Sequence, residues 1–368
     1  MKKVQIFYAS IGSGHLSAAR SIAQAITQMD TTIQIELRDI FRQNRANALL
    51  QETFSFIPSL LFPNLYTFVW RHGTFKWAYG IITRTGPLKK DIISAVESFS
   101  PDLIICTHTF PCSVISHWKK KHASPPLMAV ATDQFLHPYW SIDQVDAFIA
   151  PNEAMVKELM HRGLATEKIH NFGIPVSILK KEKRKKYSDK SIVRAIVLAG
   201  SFRVAPYLVV HPRIYQLINF IRDNDINKIN WWFVFGNAKR LYSYAQTKLD
   251  ERSNIKMYTF PKNMQELIAL SDIVFTKPGG LTVAEALAYK KPIVLLNSGA
   301  GQERENTNFV VQSGSGILIN SKAELEDFLT AFLSDPQKMM GQFKVIELPL
   351  EKSAERIAKL ACQLINQK

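Results

Sequence analysis

Negative charge is in short supply in this chain of 368 residues: 31 Asp and Glu face 46 Lys and Arg, a formal net charge of +15. Such an imbalance draws a protein toward polyanions, whether nucleic acid, an anionic bilayer or a phosphorylated ligand. Cysteine is nearly absent. The three present, Cys106, Cys112 and Cys362, are odd in number and lack metal-site spacing. They imply no disulfide framework, and a reducing compartment fits. No uninterrupted apolar run reaches the roughly 18–20 residues that span a bilayer. The opening run Val4 to Tyr8 is too short for a secretory signal, so the chain is expected to be made and kept inside the cell.

What remains is ordinary globular material, 46% hydrophobic and 21% charged. The length predicts two domains, each able to bury a core. Short apolar runs fall at 4–10, 33–37, 103–106, 127–131 and 147–150, then at 192–199, 231–235, 255–258, 273–276, 293–296 and 316–319. Helical patterns lie between them, at 16–29, 264–270 and 282–289, with a last helix at 353–365. Strand and helix in strict turn predict α/β domains with doubly wound parallel sheets. The basic run Lys180 to Lys186 reads as a solvated linker. The expected division is 1–178, a linker at 179–190, a second domain at 191–350, and a terminal helix at 351–368 that packs back on the first domain.

Chemistry concentrates in a few turns. After the strand at 273–276, Lys277-Pro278-Gly279-Gly280 leads into a helix near Thr282. Glycines there let backbone amides approach a ligand, and a helix start favours phosphate oxygens. Glu285 lies one turn further on, where its carboxylate can accept from ribose hydroxyls or simply match the helix dipole. The next strand ends in Gly299-Ala300-Gly301-Gln302-Glu303, with Asn306 one turn on; amide and carboxylate groups there suit sugar hydroxyls. Near the N-terminus, Gly12-Ser13-Gly14-His15 starts a helix. Its positive end disfavours an imidazolium and keeps His15 a neutral base, unless the ring is only a cap. Ser17 occupies the place of the third small residue in a dinucleotide fingerprint, which weakens that reading. Asp223-Asn224-Asp225 reads as a solvated polar turn rather than a metal site.

Residues 41–90 hold one acidic residue, Glu52, against seven Lys and Arg. The aromatics Phe62, Tyr66, Trp70 and Trp77 are among those interleaved with the cations. That composition suits a segment lying in a membrane interface, or a buried helical layer. Pro58 and Pro63 exclude a spanning helix. Nucleic acid would leave the sugar-type loops without a purpose, so it is not an expected partner.

The passage from about Tyr258 to Ile317 resembles the donor domain of the family that includes plant monogalactosyldiacylglycerol synthases and bacterial processive diacylglycerol glucosyltransferases. The peptidoglycan GlcNAc transferase is more distantly similar. Gly12 to Ala19 resembles the family's Gly-x-Gly-His-x-x-Ala-Ala signature. Thr132-Asp133-Gln134-Phe135-Leu136-His137-Pro138-Tyr139-Trp140 and Thr107 to Pro111 resemble two further family segments. The resemblance implies a GT-B fold, two Rossmann-like domains facing a central cleft, and transfer with inversion from a UDP-sugar to a lipid hydroxyl. It implies His15 as base, with Asp133 orienting it or the acceptor hydroxyl, and His137 on the acceptor side.

It further implies donor contacts from Gly14, Gly236, Lys277, Gly279, Gly280 and Thr282, the ribose on Glu285, the uracil ring at Phe260, and the sugar on Gln302, Glu303 and Asn306. The family's glycine-rich loop here reads Gly200-Ser201-Phe202-Arg203, with Arg203 able to supply charge in place of backbone amides. No metal or other cofactor is expected, the UDP-sugar being a substrate. The expected partners are a UDP-sugar, a lipid acceptor and an anionic membrane, with the protein peripheral on its cytoplasmic face. Two alternatives stay open: a UDP-GlcNAc 2-epimerase-like enzyme, and a sugar-nucleotide-binding protein without catalysis. The lining residues do not choose among glucose, galactose and GlcNAc, nor among lipid acceptors.

Overall fold

The computed structural model describes residues 1–10, 14–41, 67–68, 71–74, 76–176, 192–199, 212–249, 252–350 and 352–366. The chain divides into two compact units. The first comprises Met1–Ser177, Ala300–Gln302 and Leu348–Lys368, the second Ile178–Gly299 and Glu303–Glu347. The expected linker at 179–190 lies outside the described residues.

The first unit is built on six parallel strands: β1 (Lys3–Tyr8), β2 (Gln34–Asp39), β3 (Leu103–Cys106), β4 (Leu127–Val130), β5 (Ala147–Ala150) and β6 (Ile169–Asn171), in the order β2-β1-β3-β4-β5-β6. Strands β3, β4 and β5 are apolar and buried along their whole length. Side chains alternate across a strand, so such runs need cover on both faces. One face carries Phe7, Ile104, Cys106, Leu127, Ala129 and Phe148. The other carries Val4, Ile6, Leu103, Ile105, Met128 and Ile149.

Helix α1 (Gly14–Met29) covers the second face. Its Ala18, Ala19, Ile22, Ala25 and Ile26 recur at helical spacing and are buried. Beside it lies the terminal helix (Ser353–Asn366), whose Ala354, Ile357, Ala358, Ala361 and Ile365 join the same core. The start of that helix is tied down as well, since the Ser353 hydroxyl donates to the Gly173 carbonyl at 2.8 Å. The opposite face is covered by α2 (Lys76–Arg84), α3 (Gly86–Phe99), α4 (Thr109–Lys119) and α5 (Glu153–His161).

The second unit repeats the plan with β7 (Val193–Leu198), β8 (Ile229–Val234), β9 (Ile255–Tyr258), β10 (Ile273–Thr276), β11 (Ile293–Leu295) and β12 (Gly316–Leu318), all parallel, in the order β12-β11-β10-β7-β8-β9. Its helices are α6 (Pro212–Asp223), α7 (Lys239–Leu249), α8 (Met264–Leu270), α9 (Gly280–Ala288), α10 (Gln302–Gln312), α11 (Lys322–Ser334) and α12 (Pro336–Gly341); the terminal helix is α13. An aromatic core fills one face, where Trp231, Phe275, Phe328 and Phe332 meet at ring distances of 5.4–6.4 Å.

Both sheets are doubly wound, and both reverse direction once. In such sheets ligands bind outside the carboxyl ends of the strands where the order reverses. Those places are the ends of β1 and β3 in the first unit, and of β7 and β10 in the second.

Because α13 completes the core behind α1, Ile357→Ala should destabilise the first unit by about 2–5 kcal/mol through the cavity it leaves. Urea unfolding of the variant checks this; the exposed Lys359→Ala on the same helix should change stability by less than about 0.5 kcal/mol.

Candidate active site

At the reversal point of the first sheet, α1 begins at Gly14, and His15 is its second residue. The His15 Nδ1 lies 2.9 Å from the Thr107 carbonyl oxygen and 3.0 Å from Thr132 Oγ1. A carbonyl can only accept, so this contact holds the ring proton on Nδ1 and leaves the lone pair on Nε2. Thr107 follows β3 directly and is fully buried. Its amide donates to the Phe7 carbonyl at 3.0 Å, and its hydroxyl donates to the His15 carbonyl at 3.2 Å. Burial lowers the His15 pKa from its ordinary 6.5, against the opposing pull of the Asp133 charge and the Thr107 bond. The ring is therefore neutral at pH 7 with a basic nitrogen to offer.

Two further histidines stand close by, both with the other tautomer. His108 caps α4, and its Nδ1 accepts the Phe110 amide at 3.2 Å. His137 accepts the Tyr139 amide on Nδ1 at 3.1 Å. Burial holds both well below the usual imidazole range. Proximity to His15 and His137 adds to this at His108, and Arg162 and Lys76 add to it at His137.

A run of ring contacts links the three. His15 meets His108 edge-on at 4.7 Å, and His108 stacks on Phe110 at 5.5 Å. Phe110 meets Tyr79 at 4.7 Å, Tyr79 meets Tyr139 at 4.7 Å, and Tyr139 meets His137 at 4.6 Å. Tyr79 belongs to α2, so the run joins His15 to the helix carrying Trp77. Among the described residues, no three His, Cys, Asp or Glu side chains are grouped to hold a metal.

At the reversal point of the second sheet, β10 gives way to the Lys277-Pro278-Gly279-Gly280 turn and α9. Gly279 is extended, and no side chain caps the first amides of α9, which suits them to an anion. Lys277 Nζ pairs with Glu303 Oε1 at 2.5 Å, each side chain about a quarter exposed. Gly299 has φ +63°, and a Cβ there would collide with Glu303. The chain can thus turn tightly against the carboxylate it positions. Asn306 is fully buried, and its amide donates to the Pro278 carbonyl at 3.1 Å, bracing the turn from below. Glu285 is partly buried one turn into α9; burial pushes its carboxyl from 4.5 to about 7, and no described residue donates to it.

The expected donor residues Lys277, Gly279, Gly280, Thr282, Glu303 and Asn306 thus gather around one turn. Gly236 (φ +54°) and Phe260, which is 64% exposed, follow β8 and β9, two and three strands from β10 along the same edge. Gln302 opens α10. In the first unit, Gly14, His15, Asp133 and His137 all follow β1 or β4. Trp77 is 68% exposed. Gly200, Arg203, Phe62, Tyr66 and Trp70 lie outside the described residues. Thr107, Phe110, Thr132 and Tyr139 fall in the two segments that resemble the family, but the contacts that join them to His15 and Tyr79 carry no sequence signal, since those partners lie 31 to 117 residues apart.

Residues 15–176 match the family model described as monogalactosyldiacylglycerol (MGDG) synthase, and residues 221–359 match the glycosyltransferase family 28 C-terminal domain. The processive diacylglycerol beta-glucosyltransferase of Bacillus subtilis (strain 168) is 24% identical over 375 residues, covering 97% of this chain and 94% of that protein. The protein of the same description from Staphylococcus carnosus (strain TM300) is 25% identical over 352 residues, covering 91% and 85%. Among solved structures, Acinetobacter baumannii MurG is similar with a TM-score of 0.61 at 12% identity, each chain covered in full. The UDP-GlcNAc 2-epimerase from Neisseria meningitidis bound to UDP-GlcNAc is similar at 0.59 and 15%, covering 99% of this chain and 100% of that one. At these identities the structural likeness shows the fold, which is GT-B.

The raised Glu285 carboxyl has a consequence for stability. A carboxyl with a higher pKa when folded binds its proton more tightly in the native state, so stability falls as pH rises from about 4.5 to about 7 and stays lower above. Glu285→Gln should remove that slope. Thermal melts of the ligand-free protein between pH 5 and 8 check it: the variant should be the more stable at pH 8 and nearly equal to the wild type at pH 5.

Proposed function

We propose that this chain, a GT-B glycosyltransferase of the monogalactosyldiacylglycerol synthase and diacylglycerol glucosyltransferase family, moves a hexose or N-acetylhexosamine from a UDP-sugar to a lipid hydroxyl at a membrane surface, with inversion. The observation that carries the reading is His15, a neutral imidazole with its Nδ1 proton committed to a carbonyl and its Nε2 left basic.

In the proposed reaction the lipid hydroxyl gives its proton to His15 Nε2 as its oxygen bonds to the anomeric carbon. The bond from that carbon to the diphosphate breaks, and its electron pair leaves with UDP. A base of this kind contributes about 10²–10⁴-fold in rate. Asp133 would stabilise the imidazolium that forms, since its charge favours the protonated ring. In the second unit, the uncapped amides of α9 and the Lys277 ammonium would offset charge on the leaving diphosphate, so no metal is called for. Glu285 would accept the ribose hydroxyls and so meet the donors it lacks among the described residues.

The membrane side of the reading is supported by α2. Trp77 and Ile81, four residues apart on one helical face, are 68% and 54% exposed, with exposed Lys76 and Arg84 at the helix ends. An amphipathic element of this kind inserts its rings at the headgroup level while the cations meet anionic lipid. No helix among the described residues is long and apolar enough to cross a membrane.

UDP release is the direct test, with a panel of UDP-sugars and with or without diacylglycerol in anionic vesicles. Lipid-dependent release with one sugar is expected, largely unaffected by EDTA. His15→Ala should lower the rate 10²-fold or more and still bind UDP. UDP binding with no release for any pairing would overturn the transferase reading. For the surface, Trp77→Glu with Ile81→Glu should reduce flotation with anionic vesicles several-fold; unchanged flotation would remove α2 from the membrane contact.

A further inference from the structure

His15 and His108 are locked in opposite tautomers by backbone groups. His15 gives its Nδ1 proton to the Thr107 carbonyl and keeps a lone pair on Nε2. His108 takes the Phe110 amide proton on Nδ1, so its own proton sits on Nε2. The rings meet edge-on at 4.7 Å, both are partly exposed, and neither Nε2 has a hydrogen-bond partner among the described residues. Two rings whose centroids are 4.7 Å apart at the reversal point of the first sheet therefore carry one acceptor and one donor.

A fixed N–H has no use for the hydroxyl proton that His15 removes. It suits a second oxygen of the same ligand, held by the carbon next to the one bearing the attacking hydroxyl. The geometry points to His108 as an acceptor-binding residue whose Nε2–H reads that vicinal oxygen. The acceptor class is then a primary alcohol beside an ester or ether oxygen. The terminal carbon of a diacylglycerol is such a group, its hydroxyl next to an ester oxygen. The exocyclic carbon of a pyranose is another, its hydroxyl next to the ring oxygen. A glycolipid made by the first transfer thus presents the same pair of oxygens again.

This inference rests on the lipid-transferase reading above. His108 keeps its proton throughout: the alcohol proton passes to His15, the new carbon–oxygen bond forms, and the diphosphate departs with the electron pair of the bond that breaks. The identity of the cap makes the assignment testable, because a histidine that serves only to start α4 should be replaceable by asparagine, a good N-cap residue. His108→Asn keeps an acceptor for the Phe110 amide and removes the Nε2 donor; His108→Gln restores a donor near that position.

Steady-state kinetics should compare transfer to diacylglycerol with the slow hydrolysis of the UDP-sugar by water, which needs His15 and the donor site but no vicinal oxygen. In His108→Asn the ratio of transfer to hydrolysis should fall tenfold or more, chiefly through a raised KM for the lipid, and His108→Gln should recover most of it. Equal losses in both reactions, or no loss of transfer, would overturn the assignment. Wild-type enzyme should also use a fatty-acid monoester of 1,3-propanediol, which lacks the vicinal oxygen, at least tenfold less well than diacylglycerol. Equal use of the two would overturn it as well. Absence of transfer to any lipid by the wild type would instead defeat the function it rests on.

Discussion

The bond from His15 Nδ1 to the Thr107 carbonyl is the constraint from which the chemistry of the first unit follows. Its geometry is inherited from the sheet. Phe7 on β1 pairs with Cys106 on β3, and the Thr107 amide extends that ladder by donating to the Phe7 carbonyl. A slip of one residue in this pairing would turn Thr107 to the other face and leave the imidazole without a fixed tautomer. The register therefore decides which nitrogen is basic. It is held by hydrophobic strand faces that have no contact with substrate chemistry.

The two reversal points are chemically unlike. In the first unit the groups are mainly imidazoles and rings, three histidines depressed by burial and a run of aromatics from α4 to α2, with the Asp133 charge beside His15. In the second they are ionic and backbone-borne: the Lys277–Glu303 pair, a helix start without a side-chain cap, and an unpartnered carboxyl among the described residues. An apolar, low-dielectric setting keeps a histidine unprotonated, whereas a diphosphate calls for cations and amides. Placing these requirements on separate sheets lets each be met without compromising the other.

Much of the fold was legible because buried parallel strands are short apolar runs. Leu103–Cys106, Ala147–Ala150, Ile255–Tyr258 and Ile273–Thr276 have the bounds the pattern predicts, and α8 does too. The edge strand Ile169–Asn171 was not, since its three residues are only partly buried and carry no apolar signal. Within the sites, the turns at Gly14 and Gly279 announce themselves by composition. The partners that complete them do not. Thr107 acts through its carbonyl, which every residue has, and His108 gains its meaning from a ring 93 positions away in sequence. Asn306 reads as a sugar ligand in sequence and is seen buried under the Pro278 carbonyl, a role visible only once β10 and β11 lie side by side.

Helix α13 bears on the order of events during synthesis. It lies against α1, the helix that presents His15, yet it is translated only after the whole of the second unit. As the chain leaves the ribosome, the second unit has its complete set of strands and helices while the first still exposes the flank of α1 that Ile357 and Ala361 will cover. Domains ordinarily mature from the N-terminus onward; here the N-terminal unit is the one that must wait. A chain released early would then carry a complete second unit and a first unit whose His15-bearing helix still lacks part of its cover.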